Sequence, residues 1–235
     1  MNISFSIDDV ISSLLWLERV SAKSIFDSYT FAFARWLYKE YQISTTCNCL
    51  FSDGINNLSM VSCKFKKEFE MCSEWLKFSF HGYDYEKSYA YADYDDAIRD
   101  INIVESEITR ICGKNSICKT IRTHFYSGSE MALNAWKDAG VETFLTADDN
   151  RSGIGINYGL KEEEIRDLNV MHSIIKAGIQ FVRTDIRLED YINNTDWVLR
   201  SEFDDIVVFT HERFIYETSI KSTLIKLIED TRIKR

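Results

Sequence analysis

Near its start the chain alternates. Ile3, Phe5 and Ile7 are apolar, and Ser4 and Ser6 lie between them, the period-two pattern of a half-buried strand. This strand ends in two adjacent carboxylates, Asp8 and Asp9. The period then changes. Ile11, Leu14, Leu15 and Leu17 recur at helical spacing, and Ser24-x-x-Asp27 has the form of a capping box. That box is expected to open a second helix with Ile25, Tyr29, Phe33, Trp36 and Leu37 on one face.

The same change of period recurs along the chain. Strands are predicted over 43–51, 76–80, 120–125, 141–146, 179–184 and 206–210, with a short extra strand over 61–65. Helices are predicted over 94–111, 129–136, 161–177 and 219–233, the first three closed by Gly113, Gly140 and Gly178. Strands alternating with helices make βα units and a parallel sheet. Seven units without a domain-scale linker predict one α/β barrel domain over 1–235.

Composition narrows the class. With 235 residues, 45% of them hydrophobic, the chain can fill one sizeable core. A net charge of -9 argues against a general nucleic-acid binder. No apolar run reaches the roughly 18 residues that span a bilayer. The first residues lack the basic, apolar and small-residue regions of a signal peptide. The expectation is a cytoplasmic protein with no membrane partner. The six Cys form no C-x-x-C pair, so buried thiols are expected rather than a zinc finger or disulfides. Proline is absent, so Gly and Asn must close the elements. The basic tail, Arg232, Lys234 and Arg235, suits a helix C-terminus.

The candidate chemistry sits at strand ends. Asp8 and Asp9 end the first strand, His81 the third, His124 the fourth, Asp148 and Asp149 the fifth, Arg183 and Asp185 the sixth, and His211 the seventh. In a parallel barrel these ends share one face, which carries the active site. The fourth histidine, His172, shares a helical face with Ile165, Leu168 and Ile175 and reads as structural. Adjacent carboxylates repel and are costly to bury unless they share a cation or a proton; the plain alternative is a solvated strand end with a helix cap. Asp148-Asp149-Asn150-Arg151 also reads as a turn. Tyr83, Tyr85, Tyr89 and Tyr91 suit sugar stacking or a loop covering a barrel mouth. Carboxylate plus imidazole suits zinc or a harder divalent ion. Such an ion activates water and polarises a carbonyl, a second carboxylate can take the water's proton, and a histidine can protonate the leaving group. That is machinery for hydrolysing an amide or ester.

These residues also resemble a known family. Phe5-Ser6-Ile7-Asp8-Asp9 is similar to the first motif of the polysaccharide deacetylase (NodB-homology) family, usually T/S-F-D-D-G. His81-Gly82-Tyr83-Asp84-Tyr85 resembles its second motif, H-x-x-x-H, and 123–129, 146–151 and 209–212 stand where the third, fourth and fifth motifs fall. The resemblance implies a distorted (β/α)7 barrel and metal-dependent removal of an acyl group, typically acetyl from an N-acetylated sugar. It implies Asp8 as general base, Asp9 and His81 as metal ligands and His211 as general acid. The chain at Phe125 and Tyr126 would shape the substrate site and offer a backbone N–H to the oxyanion. Asp148 or Asp185 would orient His211 or an arginine, and Asp149 and Arg183 would line the substrate site.

The chain departs from the motifs at three places. Tyr85 stands where the second metal histidine falls, leaving Asp84, Glu86 or His124 to complete the ligand set. Val10 replaces a glycine, and the third motif lacks its proline, with its arginine falling to Arg122 or His124. The expected cofactor is a divalent metal, zinc by donor type, and the expected partner is a carbohydrate or N-acylated small molecule. The alternatives are a silent or altered barrel that binds a glycan-like ligand, and an amidase or esterase acting on a non-sugar substrate.

Overall fold

The computed structural model describes residues 2–149, 152–193, 197 and 205–233. Asn150 and Arg151 of the fourth motif, and Lys234 and Arg235 of the basic tail, lie outside the described residues. The first strand, β1 (Asn2–Val10), is the middle of a five-stranded parallel sheet. On one side it pairs with β2 (Thr45–Leu50), which pairs with β3 (Leu76–Gly82). On the other it pairs with β9 (Asp205–His211), which pairs with β8 (Ile186–Arg187). A second sheet holds β4 (Thr120–Ile121), β5 (Thr143–Leu145) and β7 (Ile179–Val182) in parallel, with β6 (Ser173–Lys176) antiparallel on its edge.

The sheets meet at two seams. At one, Phe78 of β3 makes an isolated parallel bridge to Ile117, and the Cys118 N–H donates to Phe78 O over 2.8 Å. At the other, β7 passes into β8 across residues 183–185. The parallel strands thus occupy seven positions: β1, β2, β3, β4, β5, β7 continued as β8, and β9. No continuous ladder closes the ring among the described residues, and the two seams are the distortion of the (β/α)7 barrel.

Among the described residues seven α-helices surround these strands: α1 (Ser12–Arg19), α2 (Tyr29–Tyr41), α3 (Lys66–Met71), α4 (Tyr94–Cys112), α5 (Glu130–Asp138), α6 (Glu162–Met171) and α7 (Thr218–Ile233). Period two splits β1 into two faces. Phe5 and Ile7 are buried on the helix side, Phe5 with its ring 6.1 Å from that of Phe33. The longest helix, α4, is capped by Asp93, which accepts from the Asp96 N–H, and ends at Gly113 with φ 89. It buries Ile101, Val104, Ile108 and Ile111, each stabilising the fold by about 1.5–3 kcal/mol. An aspartate at Val104 would place an unpaired charge in this layer. The barrel interior is different in kind: Ser6, Asp8, Asn48, Ser79, Arg122 and Thr184 are all buried there. Among the described residues no helix is long and apolar enough to cross a membrane.

Four local expectations are corrected. The Ser24 capping box is present, but it caps a single 3-10 turn (Ile25–Asp27), and α2 starts afterwards at Tyr29. No strand forms over 61–65, because the Arg110 guanidinium takes the Leu58 and Val61 carbonyls in place of a ladder. The fourth strand stops at Ile121, and His124–Tyr126 form a 3-10 turn with Phe125 at φ 61 and Tyr126 at φ 53. The helix predicted over 161–177 ends at Met171. His172 turns left-handed at φ 64, and the chain returns as the β6–β7 hairpin. Ala177 and Gly178, at φ 51 and φ 73, make the turn, two consecutive positive-φ positions as a tight hairpin requires.

Candidate metal centre

In a regular strand, neighbouring side chains point to opposite faces. Asp8 and Asp9 should therefore diverge, one into the barrel and one toward the helices. The register of β1 against β2 shifts between Ile7 and Val10, and Asp9 adopts φ 63. A bulge of this kind re-aims a side chain, and aspartate tolerates the left-handed region better than most residues. Both carboxylates are consequently buried at the same barrel end, Asp8 at 1% and Asp9 at 6% exposure.

The two then take different partners. Asp8 Oδ1 accepts from Asn48 Nδ2 at 2.6 Å and from Arg122 Nη1 at 3.0 Å. Arg122 is wholly buried and also donates to Ser6 Oγ and Thr184 Oγ1, with its guanidinium 4.2 Å over the Phe209 ring. Ser79 Oγ donates to Asn48 Oδ1, which fixes the asparagine with its NH2 toward Asp8. Of the two candidates for the third motif's arginine, Arg122 is the residue beside Asp8, and His124 stands beside Asp9.

Asp9 faces imidazoles. Its Oδ1 lies 3.2 Å from His81 Nε2 and 3.8 Å from His124 Nε2. The ligand atoms of Asp9, His81 and His124 all fall within 4.8 Å of one another. His81 Nδ1 contacts the Arg122 carbonyl, which can only accept, so Nδ1 carries the proton and Nε2 offers its lone pair. A backbone carbonyl setting the tautomer in this way is the usual support behind a metal-ligating histidine. Asp9 Oδ1, His81 Nε2 and His124 Nδ1 are buried without a hydrogen-bond partner among the described residues. Asp9 Oδ1 and His81 Nε2 are costly as buried orphans unless something binds them, His124 Nε2 stands 3.8 Å from Asp9 Oδ1, and one carboxylate with two imidazoles is a donor set that suits zinc. The residues fit a divalent metal.

Burial alone would raise the Asp9 carboxyl. With no metal bound, the close approach and positive charge of a protonated His81 ring, with the charges of His211 and His124, outweigh it and bring it down to about 2. Burial would lower His81, yet Asp8 and Asp9 raise it. Burial and the His81 charge bring His124 down to about 4, against the pull of Asp9. At neutral pH His124 is therefore a neutral imidazole, the form that ligates. Tyr85 is no competitor: burial, reinforced by the Asp9 charge, pushes its phenol up to about 12. Asp84 is spent on the turn it starts, accepting from the Glu86 and Lys87 N–H groups. Of the three candidates to complete the ligand set, only His124 joins the cluster.

On the far side of the cluster stands His211, the register partner of Asp8 across β1 and β9. Its Nδ1 contacts Glu189 Oε1, and Glu189 Oε2 accepts from Thr210 Oγ1 at 2.9 Å. Glu189, past the sixth strand, is thus the group that orients His211. Asp148 instead accepts from Arg187 Nη2 at 3.1 Å, and its carbonyl accepts from Arg183 Nη2 at 3.4 Å. Arg187 reaches Tyr126 OH at 3.4 Å, which ties Asp148, Arg183 and Tyr126 into one wall. Asp149 is exposed beside it.

Two expectations change here. Asp185 is not at this end: it accepts from the Val207 N–H and pairs with His172 Nε2 at 2.8 Å, four residues short of His211 along the ladder. The Tyr126 N–H is committed to Thr123 O at 2.8 Å. Phe125 is half exposed, its ring centroid 4.0 Å from that of His124. Glu212 was also missed. Its carboxylate accepts from the N–H groups of Ile11, Ser12 and Ser13 at 3.2, 2.9 and 2.8 Å, capping α1 just after the Asp8–Asp9 bulge. Asn48 had a faint signal, being a polar residue at an inward position between Cys47 and Cys49. Glu189 and Glu212 had none, since their partners are far away in sequence.

No family model and no curated protein matches the sequence. Solved structures match its fold. A family 4 acetyl xylan esterase from Clostridium thermocellum, in complex with a cobalt ion, aligns with TM-score 0.51 and 12% identity, covering 98% of this chain and 85% of that one. A protein named as a polysaccharide deacetylase from Mycobacterium smegmatis aligns with TM-score 0.53 and 8% identity, covering 97% of this chain and 83% of that one. A 4-alpha-glucanotransferase from Thermococcus litoralis aligns with TM-score 0.56 and 12% identity, covering 98% of this chain but 37% of that one. The third is named for a different chemistry, so the likeness carries the architecture and not the reaction. The chain has the (β/α)7 fold of the family 4 carbohydrate esterases and polysaccharide deacetylases.

Proposed function

We propose that this protein is a divalent-metal-dependent hydrolase that removes an acyl group, in the first instance N-acetyl, from a carbohydrate or sugar conjugate. The observation that carries this reading is the cluster of Asp9, His81 and partly buried His124, whose ligand atoms lie within 4.8 Å of one another on the barrel end that holds Asp8 and its register partner His211. Asp9 Oδ1, His81 Nε2 and one nitrogen of His124 would hold the metal, with zinc preferred on donor type. The metal, when bound, supplies Lewis-acid polarisation of the acyl carbonyl and an acidified water.

The remaining roles belong to the chain. Asp8 takes the proton from the attacking water, held in place by Arg122 and Asn48. His211 gives a proton to the leaving nitrogen, with Glu189 at its Nδ1 fixing the orientation of the ring. Phe125 walls the site over His124, and Tyr126 with Arg187 and Asp148 forms the opposite rim.

The test is to strip the purified protein with chelator, reload it with zinc or cobalt, and measure metal content and acetate released from N-acetylated sugars. One equivalent of metal with metal-dependent acetate release is expected, and both should be lost in Asp9→Ala. A protein that binds no divalent ion at micromolar concentration sinks the reading. Turnover of other amides with silence on every N-acetyl sugar keeps the hydrolase and removes the sugar.

A further inference from the structure

Among the described residues a cavity opens at the opposite, N-terminal end of the barrel. A (β/α)8 barrel of the common type fills its interior with layers of large branched side chains. Here Ser4, Thr46, Thr120, Thr143 and Gln180 stand near the strand starts, and the cavity, of about 830 Å³, enters between them, with Leu145, Val182 and Val207 completing its wall. Ser4 in the middle of the β1 ladder is exposed to it, and Thr46 and Thr120 line it from β2 and β4. None of these three hydroxyls bonds another side chain or backbone group among the described residues. Around the entrance stand Gln42, Gln180 and the ring of Tyr41.

The charges on its wall are already matched. His172 pairs with Asp185 at 2.8 Å, Asn2 Nδ2 donates to Asp205 at 3.0 Å, and Arg232 lies 5.2 Å from the Tyr41 ring. Among the described lining residues Asp205 and Arg232 leave one anion and one cation at the rim, so neither sign dominates there. Hydroxyls and amides that both donate and accept, with an aromatic ring at the entrance, complement the alternating O–H groups and C–H faces of a polyol. The volume falls in the range of small-molecule sites. The floor is Ser6, the same side chain that accepts from Arg122 Nη1 at 2.7 Å. Arg122 and its partners thus form a layer between this cavity and Asp8.

We propose that the N-terminal mouth is a second ligand site, for a neutral polyhydroxylated molecule of mono- to disaccharide size, separate from the metal face. It does not depend on the reaction assigned to that face. The test is calorimetric titration of the full chain with glucose and with maltose, neither of which carries an acyl group to be cleaved. Three variants accompany the wild type: Ser4→Leu and Gln180→Leu on the cavity wall, and Asp9→Asn on the metal face. Each is checked for wild-type circular dichroism.

Saturable binding of one of the two sugars is expected, weakened at least about tenfold by Ser4→Leu or Gln180→Leu and unchanged by Asp9→Asn. No binding of either sugar to the wild type at millimolar concentration overturns the proposal. So does binding that both wall variants retain, or binding that only Asp9→Asn removes, which would place the sugar at the metal face. Should Ser4→Leu fail to fold, Gln180→Leu decides, because the Gln180 side chain is exposed.

Discussion

Asp8 and His211 are direct register partners across β1 and β9, the first and last strands of the barrel. The two groups that would exchange protons with a substrate are therefore fixed by one ladder, with no loop between them. Behind each stands a dedicated partner on another element, Arg122 after β4 for Asp8 and Glu189 after β8 for His211. The bulge at Asp9 brings its carboxylate to His81 and His124 on the same face. This arrangement leads to several measurable outcomes.

The first concerns His124 in the metal-free protein. Its imidazole is held down to about 4 from an ordinary 6.5, chiefly by burial and by His81. Folding disfavours its protonated form, so this group's effect is absent above pH 6.5 and destabilises the fold as pH falls from there toward 4. The full effect is about 3 kcal/mol at one pKa unit per 1.4 kcal/mol. Urea unfolding in the presence of chelator should show this slope in wild type and lose it in His124→Ala. In a proton NMR titration, a His124 ring that titrates near 6.5 would contradict the prediction.

Glu189 should act on rate rather than on binding. It touches His211 Nδ1 and Thr210, and not the metal cluster. Glu189→Gln can donate to Nδ1 where the carboxylate could only accept, so the ring with a proton on both nitrogens, the form His211 needs as the acid, loses its acceptor. Once turnover is measured, kcat is expected to fall by about 10²–10⁴ with KM and metal content unchanged. Glu189→Asp should recover part of the rate. A drop confined to KM would remove Glu189 from this role.

Glu212 ties the two halves of the site together. It follows His211 in sequence and caps the three N–H groups that follow the Asp8–Asp9 bulge. Glutamine keeps one acceptor but turns an NH2 group against backbone donors. Glu212→Gln should cost about 1–3 kcal/mol of stability and weaken metal binding through Asp9. Competition with a chromophoric chelator gives the affinity. Unchanged affinity together with a lowered Tm would make Glu212 a helix cap and nothing more.

Legibility in the sequence followed physical range. β1, β3 and α4 were readable because their burial repeats with their own period: Phe5 with Ile7, Phe78 with Phe80, and Ile101 through Ile111. The 173–176 stretch misled, since Ile175 continues the helical spacing of Ile165 and Leu168 yet is largely exposed on a hairpin. Only the left-handed turn at His172 redirects it, and no periodicity encodes that. The candidate residues at strand ends were readable because a parallel barrel gathers strand ends. Asp185 was misplaced because the sixth strand is broken in two by the seam. The aim of Asp9 was invisible for a different reason: it depends on how β1 pairs with β2. Likewise Arg122 could be tied to Asp8, and not His124, only when the chain was folded.

The Asp8–Arg122 pair is the strictest test of the buried interior. Both side chains are nearly inaccessible, at 2% and 1% exposure. Replacing Arg122 by Leu leaves the Asp8 carboxylate with Asn48 alone in a low-dielectric site, and the loss should be about 3–5 kcal/mol. Asp8→Asn strands the guanidinium in the same way, although Ser6, Thr184 and the Phe209 face still hold it, so its cost should be smaller. When both are replaced the uncompensated charge disappears. The double variant should therefore be more stable than the sum of the single effects predicts, by about 1–3 kcal/mol, in urea unfolding at neutral pH. Additive losses would mean that the two groups do not interact as charges, and Arg122 would then be a packing residue for Phe209. A non-additive result together with wild-type metal content in Asp8→Asn would separate the two carboxylates of the bulge by function: Asp8 bound to the barrel interior and Asp9 to the metal.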